Sequence, residues 1–595
     1  MRDNNRDRLR RHAAQILGGC MILVILLIMN RDYPFVGHDY AYFIPRLLDT
    51  DLHTRINGLA IQWYTPSFGG GLPGFPNPQH LQYSLVQWMT FLIDPWAAVL
   101  VSTAVISLTG YYFFYKFLHE KLELDWRAST MGAMFFIGNG FYIEHLIAGQ
   151  LGYQLFPLSA IILYALTDTT RKPIFNAALI AIVVTMMIYQ AGFYLVVILI
   201  LSLGMTVPLL VLYKPGLFER RTLVLTWLFS VILCTGMTAS KIHATLTFLG
   251  HFPREVYDTY QVGLLQGISG VLAQLLGVMN LGHLLFLMGQ NPEVITGVLI
   301  QFTGAEYGIW ETDTGLSPVF FILLGVGLFN TVPAIFRNKI KLDRTQWISM
   351  ALLALAAWVT LEFSLAKGIL YASTKPLPIL RSLHINVRFV SAYIIPLVII
   401  GSFLSHNFFV RNRGLGYFSV GVVLTLLSLF SYSFLSAPIH QRFFDAGSSR
   451  ITYRNIRDGE VSPITEIANI DVWQGFGEGK SSIKPYEPIF GYELEAFMPQ
   501  IHLGSVLETE GDYFNMTNPA SLVFPENNNT YPFERIKVSE WDKLQAFMQR
   551  RQPEWNTPRT QKILNIVSPA AFVFTLAAAL VSVSLNPAKN QKIHS

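Results

Sequence analysis

RDYPFVGHDYAYFIPRLLDTDLHTRINGLAIQWYTPSFGGGLPGFPNPQH, Arg31 to His80, separates the first apolar run of the chain from the second. A connection of about fifty residues is far longer than two neighbouring helices need, and loops of that length are functional or disordered. Its aromatic and acidic residues argue against disorder. Near its start Asp39 stands between His38 and Tyr40, where a carboxylate beside a membrane can take a proton from a hydroxyl or help to hold a metal ion. The plainer role for Asp39 is to cap a helix beginning at Tyr40. Trp63, Tyr64 and Phe68 suit sugar stacking, or more simply an interfacial belt.

Working outward, 52% of the residues are hydrophobic and only 14% are charged, and the mean hydropathy is +0.40. That composition leaves too little polar surface for a soluble protein of 595 residues, so the chain reads as a polytopic α-helical membrane protein. The net charge of +5 first reports orientation in such a protein, and no nucleic-acid binding follows from it. Cys20 and Cys234 both fall in apolar runs, which excludes a disulfide framework or a cysteine metal site. The first apolar run, Ile16 to Met29, lacks a small-residue cleavage site and is expected to stay as a span.

A span takes roughly 20 helical residues, which gives about twelve of them here. Expected spans run near Ile16–Met29, Trp88–Tyr115, Ala128–Ile143, Gly152–Leu166, Ile174–Tyr189, Gly192–Tyr213, Thr222–Thr238, Pro318–Phe336, Trp347–Leu365, Phe389–Phe409, Tyr417–Leu435 and Ile566–Leu585. Basic clusters, from Arg2 to Arg11 at the start to Lys589 and Lys592 at the end, alternate with them and put both termini in the cytosol. Three divisions follow. Residues 1–435 form a transmembrane part with a long first outer loop (31–85) and an outer re-entrant or interfacial region (241–315). Residues 436–562, with short β-like runs and Pro and Gly breaks, form a small mixed α/β domain outside the cytosol. Residues 563–595 hold the last span and a cytosolic tail.

Four further clusters carry chemistry beside a plainer role. Glu144 and His145 end the third span on the side of Asp39, as a functional acid or as a carboxylate at the water interface. Lys241, His243, His251 and Arg254 follow the seventh span, able to neutralise a phosphate or to reach for lipid headgroups. Lys375, Arg381, His384 and Arg388 make a cationic loop on the non-cytosolic side, against the usual bias, for which a lipid-linked phosphate is a good reason and plain surface lipid binding the alternative. Glu306, Glu311 and Asp313 could add a metal-binding or acid/base carboxylate, but they are too loosely spaced for a metal motif and read first as a solvated loop. No phosphate-binding loop, HExxH or nucleophile elbow is present, which argues against a nucleotide-driven pump.

Taken in order, GHDYAYFIPRLLD, GGGLPGFPNP, EHLIAGQLGYQLFPLSA, HFPRE and LRSLHINVRF resemble the YfhO-like bacterial membrane proteins of the GT-C glycosyltransferase class, and KPYEPIFGYELEAF (Lys484 to Phe497) resembles that family's Gly-Tyr segment. The resemblance implies a GT-C-like fold in the bacterial inner membrane, and transfer of a sugar from a polyprenyl-phosphate-linked donor to an envelope glycan or polymer on the extracytosolic face. It implies Asp39 as catalytic base or acceptor-orienting carboxylate; Glu144 joins it as a catalytic candidate from its own cluster. His38, Tyr40, His145, Lys241, Arg254, Lys375, Arg381, His384 and Arg388 would bind substrate. His38-Asp39 stands where many members of the class have a pair of acids, so the metal stays open, a divalent cation being one option. The rival readings are a lipid-linked glycan flippase or exporter, and a non-catalytic subunit with protein partners in envelope synthesis.

Overall fold

In hydrocarbon a backbone N–H finds no water, so apolar runs satisfy their own polar groups as helices. The computed structural model describes residues 2–251, 263–277, 289, 309–338, 343–412, 414–439, 444–483, 485–487 and 500–584. Among the described residues, eight helical stretches are long and apolar enough to cross a membrane: Leu9–Asn30, Pro95–Lys121, Phe193–Tyr213, Arg220–His251, Arg344–Leu365, Asn386–Arg411, Leu415–Tyr432 and Arg559–Ser584. Shorter apolar helices occupy Leu151–Thr167, Pro173–Tyr189, Leu264–Leu276 and Pro318–Phe329. These stretches make the chain a multi-pass membrane protein.

Several expected boundaries move for local reasons. The span expected to begin at Trp88 begins at Pro95, because Asp94 caps it by accepting from the Ala97 N–H. The expected span Ala128–Ile143 is two helices, Trp126–Ile137 and Gly140–Ala148. Gly138 ends the first, and the Asn139 side chain caps the second by accepting from the Tyr142 N–H at 2.9 Å. The seventh helix does not stop at Thr238 but runs from Arg220 to His251, so Lys241 and His243 lie on it rather than in a loop beyond it. Arg388 sits on 3-10 turns, Asn386–Tyr393, that lead into the helix Ile394–Arg411.

The long first loop is ordered throughout. A strand Phe35–Val36 pairs antiparallel with Phe444–Asp445, the helix Tyr40–Asn57 follows, and Tyr64–Thr65 pairs with Leu72–Pro73. The turn between the last two uses Gly69, Gly70 and Gly71 at φ of 56°, 68° and 122°, a region that side chains with a Cβ avoid. This loop is knitted to the segment before the last helix. Phe68 bridges Ser482, the Gly70 N–H donates to Ser481 Oγ at 2.9 Å, and the Thr517 N–H donates to the Gly70 carbonyl at 3.0 Å.

That later segment carries the helices Ala446–Asp458, Val472–Glu478 and Trp541–Met548. It also holds two three-stranded sheets, one of Lys480–Ser482, Glu466–Ala468 and Gly504–Ser505, the other of Arg535–Lys537, Tyr513–Thr517 and Thr509–Glu510. Leu48, Trp63, Phe68 and Phe75 of the first loop share one apolar cluster with Ile467, Phe514, Phe524 and Phe547. A fully buried aromatic or aliphatic side chain of this kind contributes about 1.5–3 kcal/mol, so the cluster is what holds loop and segment as one layer.

Candidate functional site

Asp39 is placed by close backbone contact with the end of the helix Gly140–Ala148. At Gly37 a Cβ would stand 2.0 Å from the Ile147 carbonyl oxygen, and at Gly149 one would stand 2.6 Å from the Tyr40 nitrogen. Only glycine lets the two chains lie this near. The Asp39 N–H donates to the Ala148 carbonyl at 3.0 Å, and the Tyr40 hydroxyl donates to the Leu146 carbonyl at 2.7 Å. The Asp39 side chain makes no capping hydrogen bond to the helix that starts at Tyr40, which removes the plainer role expected for it. Its carboxylate is 8% exposed, with His38 Nε2 at 3.3 Å from Oδ1 and the His38 ring tilted against Trp310 at 4.9 Å between centroids.

Beside it lies a buried ion pair. Arg388 donates from Nε and Nη2 to the two carboxylate oxygens of Glu311. Gln150 braces both partners: its Nε2 donates to Glu311 Oε1 at 3.1 Å, and its Oε1 accepts from Arg388 Nη2 at 3.2 Å. The guanidinium lies over the rings of Tyr153 and Tyr194 at 5.2 and 4.9 Å, a cation–π arrangement that suits a partly dry site. The Tyr194 hydroxyl accepts from the His384 and Ile385 N–H groups at 2.6 and 2.8 Å, fixing the turn that carries Arg388. His145 donates from Nδ1 to the Phe141 carbonyl at 2.7 Å and leaves Nε2 at 3.8 Å from Glu311 Oε2.

Burial pushes the Asp39 carboxyl above its ordinary range. His38 opposes that push, Glu311 adds to it, and Arg388 and a hydrogen bond from Gln150 oppose it. For Glu311 burial also favours the neutral acid, but the charge and hydrogen bonds of Arg388 outweigh it and hold the carboxyl well below the usual carboxylate range. The site therefore combines a carboxylate of raised basicity with a cation already committed to an anion.

Of the residues singled out in the sequence, His38, Asp39, Tyr40, His145 and Arg388 come together here. Glu144 is fully buried, within electrostatic reach of Tyr432, which sets aside the water-interface alternative for it. Lys241 is also fully buried and donates from Nζ to the carbonyls of Phe75 and Asn77 at 2.6 and 2.8 Å, where it anchors the first loop. Lys375 donates to the Leu383 carbonyl at 2.9 Å, Arg381 is exposed and His384 half-buried. Arg254, Glu306 and Pro488–Phe497 lie outside the described residues.

Glu311, read first as part of a solvated loop, is instead 4% exposed; its pairing with Arg388 was missed, together with Gln150, Tyr153 and Tyr194. The usable signal was charge: Arg388, at the very start of an apolar run, needs an anion, and Glu311 precedes another such run. Among the described residues, no group of three or more His, Cys, Asp and Glu side chains is gathered to hold a metal ion.

A second polar face of the helix Tyr40–Asn57 fastens the layer. Arg46 Nη2 donates to Glu487 Oε2 at 2.6 Å, and Asp49 accepts from Gln62 Nε2 at 2.7 Å.

No family model matches the chain, and no curated protein does. Among solved structures, that of the arabinofuranosyltransferase AftD from Mycobacteria aligns with a TM-score of 0.42 and 13% identity over 77% of this chain and 29% of that one. A second AftD structure, of a mutant, aligns with a TM-score of 0.41 and 13% identity, over 78% and 32%. The chain thus spans about a third of the length of these structures or less.

Proposed function

We propose that the chain is a GT-C-type membrane glycosyltransferase. It moves a sugar from a polyprenyl-phosphate-linked donor to a hydroxyl of an envelope glycan or polymer on the extracytosolic face of the bacterial inner membrane. The observation that supports this reading is that Asp39, a buried carboxylate with no capping bond, lies within electrostatic reach of the Arg388 guanidinium and its Glu311 partner.

In the reaction Asp39 accepts the proton of the acceptor hydroxyl as its oxygen attacks the anomeric carbon. The bond from that carbon to the phosphate oxygen breaks, and its electron pair leaves with the lipid phosphate. A base of raised pKa takes the proton more readily, and a fixed cation in a partly dry site stabilises the leaving phosphate most as its charge develops. Arg388 supplies that cation, His38 orients Asp39, and Lys375 and Arg381 draw the anionic headgroup toward the site. Attack from the face opposite the leaving group inverts the anomeric centre. No step requires a metal ion, although His38 and Asp39 are donors that a divalent cation accepts.

The test is the purified chain in lipid nanodiscs with a polyprenyl-phosphate sugar and a glycan acceptor. Release of polyprenyl phosphate with a mass gain on the acceptor is expected. Carrier that crosses the bilayer with its glycosyl–phosphate bond intact would mean transport instead.

A further inference from the structure

The seat that the donor phosphate needs is filled by a carboxylate of the chain itself. We propose that Glu311 is an internal stand-in for the lipid-linked phosphate, holding Arg388 in the unloaded protein and giving it up by exchange when the phosphate arrives. The inference rests on the reading that the donor phosphate goes to Arg388.

Shape is the first reason. A guanidinium fork binds carboxylate and phosphate oxygens in the same paired fashion, and Glu311 uses the Nε and Nη2 donors that a phosphate would use. The second is which partner can move. Arg388 lies over Tyr153 and Tyr194, and its turn is tied at Asn386, whose Nδ2 donates to the Phe363 carbonyl at 2.9 Å, and at His384 and Ile385. Glu311 rides on a four-residue helix, Ile309–Thr312, which is a single turn.

The third reason is energetic. A buried guanidinium without an anion is strongly unfavourable, so an open phosphate site around Arg388 would destabilise the empty protein. Glu311 removes that cost, and binding becomes the exchange of one anion for another. Gln150 can serve both states, since its Oε1 holds Arg388 and its Nε2, now donating to Glu311, can donate to a phosphate oxygen that takes the carboxylate's place. His145 Nε2, 3.8 Å from Glu311 Oε2, gives the displaced carboxylate a place to settle. Glu311 is therefore a positioning residue that keeps the cation aimed.

The experiment is binding of polyprenyl monophosphate, which carries no sugar, to the full chain in phosphatidylcholine nanodiscs, followed by native mass spectrometry. Glu311→Gln should tighten binding at least tenfold, Glu311→Asp less, and Arg388→Gln should abolish it. Where Glu311→Gln folds poorly, polyprenyl monophosphate should restore its melting temperature and neutral polyprenol should not; equal rescue by both overturns the proposal.

Binding to Glu311→Gln no tighter than to the wild type, with Arg388→Gln still inactive in binding, also overturns it while leaving the phosphate at Arg388. Wild-type binding by Arg388→Gln removes the phosphate from this site and overturns both readings. Equal competition by inorganic phosphate refutes the lipid-linked part. Exchange without any sugar transfer leaves the stand-in intact and removes only the transferase.

Discussion

Asp39→Asn separates chemistry from folding, because asparagine keeps the shape of the side chain and can still accept the hydrogen bond from Gln150. The backbone bond from Asp39 to the Ala148 carbonyl does not depend on the side chain, and no capping bond is lost, so the usual cost of about 1 kcal/mol for removing a cap does not arise. Asparagine fills the same volume and still reaches His38, 3.3 Å away in the wild type.

The amide cannot take a proton, and the loss of a general base slows reaction by about 10²–10⁴-fold, which is about 3–5 kcal/mol of barrier. Stability should move the other way. Burial raises the Asp39 pKa above the ordinary aspartate range, so ionising it costs the folded state. The wild type is relieved of that cost below the unfolded-state pKa and bears it once pH rises through the folded pKa. Asp39→Asn should therefore melt with the wild type near pH 4 and at or above it at pH 7. Sugar transfer from a polyprenyl-phosphate donor, measured under single-turnover conditions beside scanning fluorimetry, gives both quantities. A folded Asp39→Asn protein that transfers sugar at the wild-type rate refutes the assignment of the base.

The same electrostatics set the pH profile. The acid limb of kcat/KM should lie above the ordinary aspartate range and should move to lower pH in Glu311→Gln, which removes a like charge and frees Arg388; a rate profile from pH 4 to 8 reads the shift. Gly37→Ala would put a Cβ 2.0 Å from the Ile147 oxygen and push His38 and Asp39 out of their present positions beside the Arg388–Glu311 pair. A displacement of 1 Å costs about 10²-fold in rate, so transfer should fall by that order while polyprenyl monophosphate still binds. Lys241→Met keeps the aliphatic stem but strands two buried carbonyls, at about 1–3 kcal/mol each. It should lower the melting temperature with no change in phosphate affinity, and a loss of affinity would return Lys241 to the binding site.

The apolar runs declare most of the membrane helices by themselves, since twenty residues without charge have few alternatives. The helix Arg344–Leu365 falls close to its expected place for that reason. Breaks inside apolar runs are harder to read. Gly138 and Asn139 are small marks in a long hydrophobic stretch, yet one ends a helix and the other caps the next. The long first loop is visible as unusual from its length and composition, and Asp39 within it. Glu311 is not, because a carboxylate in a polar loop is normally solvated and its partner Arg388 lies 77 residues away. Lys241 misleads for a related reason: a cation at the expected end of a span suits a headgroup, and only the extra turns of the helix Arg220–His251 carry it under the first loop.

Arg46 and Glu487 meet across 441 residues of chain, and that separation has a meaning in biosynthetic time. At about 5–20 residues per second of synthesis, Arg46 leaves the ribosome roughly 20–90 s before the carboxylate it will pair with. Phe35 and Val36 wait almost as long for Phe444 and Asp445. Throughout that interval the nascent first loop carries its buried-to-be charges and aromatics without their partners, and its layer is completed only after the segment from Phe444 onward has emerged. A chain stopped after Ile439 would hold most of its membrane helices and an unfinished first loop, ready for whatever quality-control machinery recognises exposed apolar surface.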